Sequence, residues 1–269
     1  MRRRDVRFMR AFVFASALSL AFGAEVGAAP QRVASLNLCT DELLLMIAAP
    51  EQIASVTHLS QSKAESPLWR QAARFRRNDG SLLSVAPLKP DLVLTMGGGA
   101  RDRVRIAETL GIPTLDLGYP GSMADIETSI RRVAKALGRE PQGKRLLARI
   151  AMLKASTPQR QPDTIWLGGG GRSVGANSLA SEWMALAGFR QRALPSDRVT
   201  LEQLISKPPE VLLRSDYRAG EYSGEQRWLN HPLARKAGGA RVIPTDGRRW
   251  TCMGPAMIAE VERLRKVAR

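Results

Sequence analysis

Cys39 and Cys252 are the chain's two cysteines, and His58 and His231 its two histidines. Each pair is far apart in sequence, so any chemistry its members share must be assembled by the fold. Cys39 falls in the loop after a first predicted strand. Cys252 falls in Trp250-Thr251-Cys252-Met253-Gly254, after the last predicted strand and before the last helix. Three readings stand open for the pair. A disulfide needs an oxidising compartment and Cα atoms within roughly 7 Å. Two soft thiolates could hold a metal or a metal complex. Two unpaired, partly buried thiols would act as small apolar groups. The two histidines cannot make the usual His/carboxylate metal site without other donors. His231, in Asn230-His231-Pro232, reads as structural, whereas His58 follows the second strand and can face a cleft.

A second set of residues is suited to binding. Arg172, Arg214, Tyr217, Arg218 and Trp250 fall near the ends of predicted strands in the second half, and Tyr119 near one in the first half. Aromatic rings supply contact area, and guanidinium groups pair with carboxylate or catecholate oxygens. Such a wall suits a large, partly anionic ligand. Glycine accompanies it. Leu88-Lys89-Pro90-Asp91-Leu92-Val93-Leu94-Thr95-Met96 runs straight into Gly97-Gly98-Gly99, and Thr164-Ile165-Trp166-Leu167 into Gly168-Gly169-Gly170-Gly171. Neither run is the G-x-G-x-x-G fingerprint of a dinucleotide loop. Gly97, Gly98 and Gly170 instead let a bulky ligand approach backbone N–H groups. Asn37, Cys39 and Thr40 join them from the loop after the first strand. The loops hold no Ser/His/Asp set and no acid–base pair, so the chain reads as a binder rather than an enzyme.

These residues are to be positioned by alternating strands and helices. In the first half, strands are predicted at Arg32–Leu36, Ile53–Thr57, Asp91–Met96 and Pro113–Leu117. Helices are predicted at Thr40–Ile47, capped by Thr40 or Asp41, and at Ser66–Phe75, Leu82–Ala86 and Arg101–Leu110. Asn78-Asp79-Gly80 reads as a turn. Ala124–Leu137 puts Ile126, Ile130, Val133 and Leu137 on one stripe, a helical period. After a break at Gly138–Pro141, a helix over Gln142–Ala155 can serve as a rigid spacer. The second half repeats the grammar. Strands are expected at Thr164–Leu167, Glu210–Arg214 and Arg241–Thr245. Helices are expected at Leu179–Gly188, at Leu201–Ser206 capped by Thr200, and at Pro255–Val267. Such alternation argues for an α/β fold with mostly parallel sheets and helices on both faces.

The N-terminus reports on compartment. Five arginines precede an apolar run from Ala11 to Phe22, and small residues follow to Ala29. A basic region, an apolar region and a small-residue cleavage zone make a secretory signal over residues 1–28. The run is too short to span a bilayer, which needs about 20 residues. Arg3-Arg4 leaves export by the Sec or the twin-arginine route open. Removing residues 1–28 lowers the formal charge from +16 to +13. Residues 29–140 carry 14 basic and 12 acidic side chains, against 18 and 11 in residues 159–269. A basic surface can steer an acidic ligand. Nucleic acid is not the expected partner, because no basic run is interleaved with aromatics.

In order and spacing, several segments resemble the periplasmic binding proteins of ABC importers for vitamin B12, ferric siderophores and haem. The carriers are Arg32-Val33-Ala34-Ser35-Leu36 with Asp41-Glu42-Leu43-Leu44, then Ile53-Ala54-Ser55-Val56 and the Lys89-Pro90-Asp91 strand. Gly111-Ile112-Pro113-Thr114, Trp228-Leu229-Asn230-His231-Pro232-Leu233 and Arg241-Val242-Ile243-Pro244 complete them. The resemblance covers essentially residues 31–268. It implies two Rossmann-like lobes, at 29–140 and 159–269, joined by one long helix within 141–158, with the ligand cleft between them. It implies a metal chelate as ligand (a ferric siderophore, a corrinoid or haem), with no intrinsic cofactor, and a monomer in the periplasm. Haem ligation by His58 or Tyr119 is conceivable, although no haem-specific pattern is present. The family docks on an ABC permease through one acidic residue on each lobe. Glu202 stands at the C-lobe place, and Leu83 occupies the N-lobe place, a departure from the pattern. The alternatives are a periplasmic sensor or scaffold, or a chelatase-like enzyme, on the same fold.

Overall fold

The computed structural model describes residues 29–97 and 101–267, so the predicted signal segment and Gly98 lie outside the described residues. Two parallel sheets organise the chain. The first holds β1 (Val33–Ser35), β2 (Ile53–Thr57), β3 (Arg76–Asn78), β4 (Leu92–Met96) and β5 (Thr114–Leu117) in the order β3-β2-β1-β4-β5. The second holds β6 (Asp163–Leu167), β7 (Arg190–Gln191), β8 (Val211–Ser215) and β9 (Arg241–Thr245) in the order β7-β6-β8-β9. The pairs are parallel throughout, with Val33 opposite Leu92 in the first sheet and Thr164 opposite Val211 in the second. Strands buried on both faces read as apolar runs. Accordingly every residue of β4 is buried.

β3 was not legible as a strand. Its residues Arg76, Arg77 and Asn78 are polar, and only Asn78 is buried. It pairs along the edge beside β2, where one side needs no apolar alternation. The Asn78 amide fixes it by donating to the Ser35 carbonyl (2.9 Å) and the Ser55 hydroxyl (3.0 Å). The two-residue β7 is equally short of signal.

The helices differ from expectation mainly at their ends. α1 spans Leu38–Ile47, and its N-cap is Asn37 rather than Thr40 or Asp41. Extended backbone at Asn37 brings its side-chain oxygen to the Cys39 N–H (2.8 Å), so the helix begins two residues earlier. α2 (Trp69–Ala72) is far shorter than the expected Ser66–Phe75, because the chain turns through residues 59–66 first. α3 (Leu82–Val85), α4 (Arg101–Thr109) and α5 (Met123–Ala136) fall close to their expected places. In the second half, α7 (Leu179–Ala187) ends on Gly188 at φ 91°, a left-handed cap. α8 (Leu201–Ser206) is capped by Thr200 as expected. α9 (Gly224–Leu229), α10 (Pro232–Lys236) and α11 (Arg249–Cys252) were not anticipated, being only four to six residues each. α12 spans Met257–Val267.

Between the sheets runs α6, Glu140–Ala155. Pro141 sits in its first turn, where the missing N–H costs nothing, so the helix starts earlier than Gln142. At 1.5 Å per residue it is about 24 Å long. Its Leu146, Ile150 and Leu153 are buried in an apolar cluster that also takes Val33, Leu44 and Leu94 from the first half and Trp183, Leu213 and Val261 from the second. Each such side chain contributes roughly 1.5–3 kcal/mol on burial. The two halves therefore share a core as well as a helix. Each sheet also has its own outer cluster: Ala34, Leu36, Leu82, Val85 and Val93 on one, and Ile165, Leu167, Leu204, Leu212 and Leu229 on the other.

Candidate ligand cleft

Open parallel sheets present ligands at the carboxyl ends of strands, where strand order reverses. In the first sheet β1 lies between β2 and β4, so the reversal point is flanked by the loops at Asn37 and Gly97. In the second sheet β6 lies between β7 and β8, which places the loops Gly168–Arg172 and Asp216–Arg218 at the matching point. A disulfide from Cys39 to Cys252 and hydrogen bonds from Glu65 to Tyr217 and Arg218 join the two halves beside these loops.

The cleft base is covalent. Cys39, in the first turn of α1, is disulfide-bonded to Cys252, at the end of α11, with Cα atoms 5.2 Å apart and a sequence separation of 213. Of the three readings open for these cysteines, the structure contains the disulfide. A void of only about 10 Å³ remains beside it, lined by Leu43, Met96, Pro120 and Ile126 among others. One water requires about that much space. Glu42 crosses the same boundary. Its buried carboxylate accepts from the Ala256 N–H (2.9 Å), next to the start of α12. Burial pushes the Glu42 carboxyl up from 4.5 to about 7. Its neighbour Asp41 is fully buried and accepts from the Thr57 N–H and hydroxyl. Burial raises Asp41 from 3.8 to about 6.

One rim of the cleft is latched. Glu65, in the turn region after β2, accepts from the Tyr217 hydroxyl (2.6 Å) through Oε2 and from the Arg218 guanidinium through Oε1. Arg248, after β9, donates to the carbonyls of Lys63 (3.0 Å) and Ser66 (3.5 Å) on the same segment. Arg248 is itself held by Asp246, whose carboxylate accepts from its Nε at 2.8 Å. On another side the Met123 N–H, at the start of α5, donates to the Glu182 carboxylate of α7 (3.2 Å).

The residues singled out in the sequence divide into three groups. Tyr119, Tyr217, Arg172, Gly97 and Gly170 lie in the loops that follow the carboxyl ends of β5, β8, β6, β4 and β6. Tyr119 is 70% exposed, and its ring rests on Gly97, whose φ of 101° and missing Cβ make room for it. Gly170 accepts from Arg198 (3.0 Å), and Arg172 pairs with Glu225 (3.5 Å). His58 is exposed beside an open hollow shared with Arg77, Asp79 and Ser84, away from the disulfide.

A second group serves the fold instead. Asn37 is occupied as the α1 cap. Thr40 is fully buried, bonded to the Ser35 hydroxyl (2.7 Å) and the Asn37 carbonyl (2.9 Å), so it does not reach a ligand. Trp250 is 7% exposed. It donates to Thr245 (2.7 Å) and packs on Trp166 with ring centroids 5.9 Å apart, so it is core rather than cleft wall. Arg214 points to the outer cluster, donating to Asn230 Oδ1 (2.6 Å). Burial and then the nearby Arg235 charge hold its pKa below the usual guanidinium value. Cys39 and Cys252 are joined to each other. Gly98 lies outside the described residues.

The third group is peripheral. Glu202 is exposed in the first turn of α8, and Leu83 in α3 is 76% exposed. His231 is exposed and accepts through Nδ1 from the Leu233 N–H (3.3 Å).

Glu42, Glu65, Glu182 and Arg248 connect the two halves and were not identified from sequence. For Glu42 a signal existed. Asp41 and Glu42 are followed by Leu43-Leu44-Leu45, and a charge pair leading an apolar helix must be buried or capping. Glu65, Glu182 and Arg248 are ordinary charged residues whose partners are over 50 residues away, which no local pattern discloses.

The chain belongs to the periplasmic binding protein family, whose sequence profile matches residues 33–237. Among solved structures it is similar to the periplasmic vitamin B12 binding protein BtuF of Vibrio cholerae, at 17% identity and a TM-score of 0.61, covering 88% of this chain and 96% of that one. It is also similar to the periplasmic haem-binding protein HutB of Vibrio cholerae, at 17% identity and TM-score 0.65, covering 88% and 98%. A periplasmic binding protein of Veillonella parvula aligns at 13% identity and TM-score 0.68, over 90% and 92%. At these identities the likeness is one of fold. No curated protein matches the chain at the level of sequence.

Proposed function

We propose that the protein is the periplasmic receptor of an ABC importer, which captures a metal chelate between its lobes and hands it to the permease. The observation that carries this reading is the two sets of strand-end loops turned toward one cleft, in a chain of this family. Tyr119, Arg172, Tyr217 and Arg218 supply rings and positive heads there, which favours a chelate with anionic groups, of the ferric siderophore or haem kind, over neutral cobalamin. The receptor needs no resident cofactor for capture, since the metal arrives as cargo. The signal segment, cleaved after residue 28, delivers the receptor to the periplasm as a monomer.

Docking on the permease falls to Glu202, exposed on the C-lobe. Leu83, exposed where the N-lobe acid is expected, makes the N-lobe contact apolar. That same exposed leucine favours one second reading, a periplasmic sensor or scaffold that meets a partner protein rather than a transporter. Tryptophan fluorescence titration against haem, cyanocobalamin and several ferric siderophores tests the proposal. At least one should bind with Kd below about 1 μM. If none binds tighter than about 100 μM, capture fails and the sensor reading takes its place.

A further inference from the structure

At the rim of the cleft an N-lobe carboxylate, that of Glu65, is inserted between two C-lobe donors. Its Oε2 takes the Tyr217 hydroxyl and its Oε1 the Arg218 guanidinium. The Glu65 side chain is 12% exposed and Arg218 44%, and the other guanidinium nitrogen of Arg218 lies 3.5 Å from Glu221.

The donors are set by the second half and the acceptor by a turn segment of the first. Tyr217 directly follows β8 and Asp216. Its carbonyl accepts from Gln226 Nε2 (2.9 Å), and its backbone presses on Gly247, where no Cβ would fit. Arg218 is held at φ 53°, a left-handed conformation that a non-glycine residue keeps only where its surroundings impose it. Its guanidinium lies 5.4 Å from the Tyr217 ring centroid, so hydroxyl and guanidinium point the same way. Glu65 lies in residues 59–66, a run of turns closed on the Ser62 carbonyl and held to the first half through the Gln61 amide, and met from the second half, besides the Glu65 carboxylate, by Arg248 at the Lys63 and Ser66 carbonyls.

A rigid O–H and guanidinium side by side are a two-point receptor for a carboxylate. We infer that Tyr217 and Arg218 form a carboxylate-binding head within the cleft, and that Glu65 is a built-in surrogate that occupies it until a carboxylate of the ligand takes its place. The exchange conserves charge and hydrogen bonds at the head: one carboxylate leaves Tyr217 and Arg218 and another arrives. What changes is the N-lobe segment 59–66, which loses its only side-chain attachment to this head and keeps the Arg248 bonds to the Lys63 and Ser66 carbonyls. Affinity for a carboxylate-bearing ligand is then reduced by the fraction of molecules in which Glu65 holds the head, and removing Glu65 restores it. The inference rests on the receptor reading for the identity of the ligand, but the head itself can be tested without any metal chelate.

Two arms test it. In the first, amide hydrogen exchange of residues 59–66 is followed in the wild type with and without citrate at about 10 mM, enough to fill a millimolar site. Citrate should speed exchange of 59–66 in the wild type. Glu65→Gln should exchange fast from the start and ignore citrate, and Arg218→Gln should also give no citrate response. No citrate effect in the wild type, or an equal effect in Arg218→Gln, overturns the inference. In the second arm, haem, which carries two carboxylates, and cyanocobalamin, which carries none, are titrated into wild type and Glu65→Gln. Glu65→Gln should tighten haem by about tenfold and leave cyanocobalamin within about twofold, if Glu65 holds about nine heads in ten. Unchanged or weakened haem binding, or an equal gain for cyanocobalamin, overturns it. Should neither chelate bind the wild type while citrate still frees 59–66, the receptor reading falls and the carboxylate head stands.

Discussion

Glu42 and Asp41 give the protein an unusual dependence on pH. Both carboxyls are raised above their ordinary values by burial, Glu42 to about 7 and Asp41 to about 6. The folded state therefore holds protons that the unfolded chain has already lost. Stability from these groups is fully present below about pH 4 and is lost as pH rises toward 7. Asp246 and Glu260 act in the opposite sense. Burial alone would raise both, but the hydrogen bonds and charges of Arg248 at Asp246, and of Arg263 at Glu260, outweigh it and lower them, so their contribution is lost only as pH falls below the ordinary carboxylate range. Urea unfolding should thus show the wild type more stable at pH 5 than at pH 8. Glu42→Gln should remove about 2 kcal/mol of that difference, the part of the Glu42 shift that falls between those pH values; an unchanged difference would show that Glu42 ionises freely. Gly97→Ala places a methyl group where the Tyr119 ring lies, at a φ of 101°. It should cost about 1–2 kcal/mol in chemical denaturation and dislodge the ring. At this scale the sequence was partly legible. Residue type and strand-end position singled out Tyr119, Tyr217, Arg218 and the cysteines. They could not separate Trp250 and Thr40, which are buried, from neighbours such as Tyr119 that are exposed, because side-chain direction at a loop follows from backbone geometry set by distant packing.

Helix and strand positions were legible where periodicity or capping chemistry was strong. Ile126, Ile130 and Val133 predicted α5, and Thr200 predicted the start of α8, whose N-cap hydroxyl accepts from the Gln203 N–H at 3.2 Å. The failures were β3, β7 and the short helices α9 to α11, which are held by tertiary partners rather than by their own sequence. α5 offers the sharpest test of local chemistry. Ser122 accepts from the Asp125 N–H (3.3 Å), and the Asp125 carboxylate accepts from the Ser122 N–H (2.9 Å), a reciprocal cap. Ser122→Ala should cost about 1 kcal/mol. Because the next residue, Met123, donates to Glu182 across the two halves, the loss should also raise hydrogen exchange at the start of α5. A stability change within experimental error would mean that packing of α5 alone holds its first turn.

Taken whole, the molecule is two parallel sheets on a shared core and a shared helix, further joined at the cleft base by Cys39–Cys252 and Glu42. Alternating strand and helix predicted the two sheets. The tightness of their union was not predictable, since it depends on contacts between residues up to about two hundred positions apart. The disulfide closes a loop of 213 residues, so its removal should be felt chiefly in the unfolded chain. Cys39→Ser with Cys252→Ser should lower stability by about 3 kcal/mol. The denatured wild type should show no reactive thiol before reduction and two after. The disulfide at one place and Glu65 and Arg248 at another hold the two halves together. The proposed receptor holds its cargo between the lobes. Hydrogen exchange with the tightest-binding chelate present tests it directly. Protection should appear together at the N-lobe loops around Asn37, Gly97 and Tyr119 and at the C-lobe loops around Gly170, Arg172 and Tyr217. Protection confined to one lobe, or to the hollow beneath the second sheet lined by Arg160, Glu210 and Arg241, would contradict it.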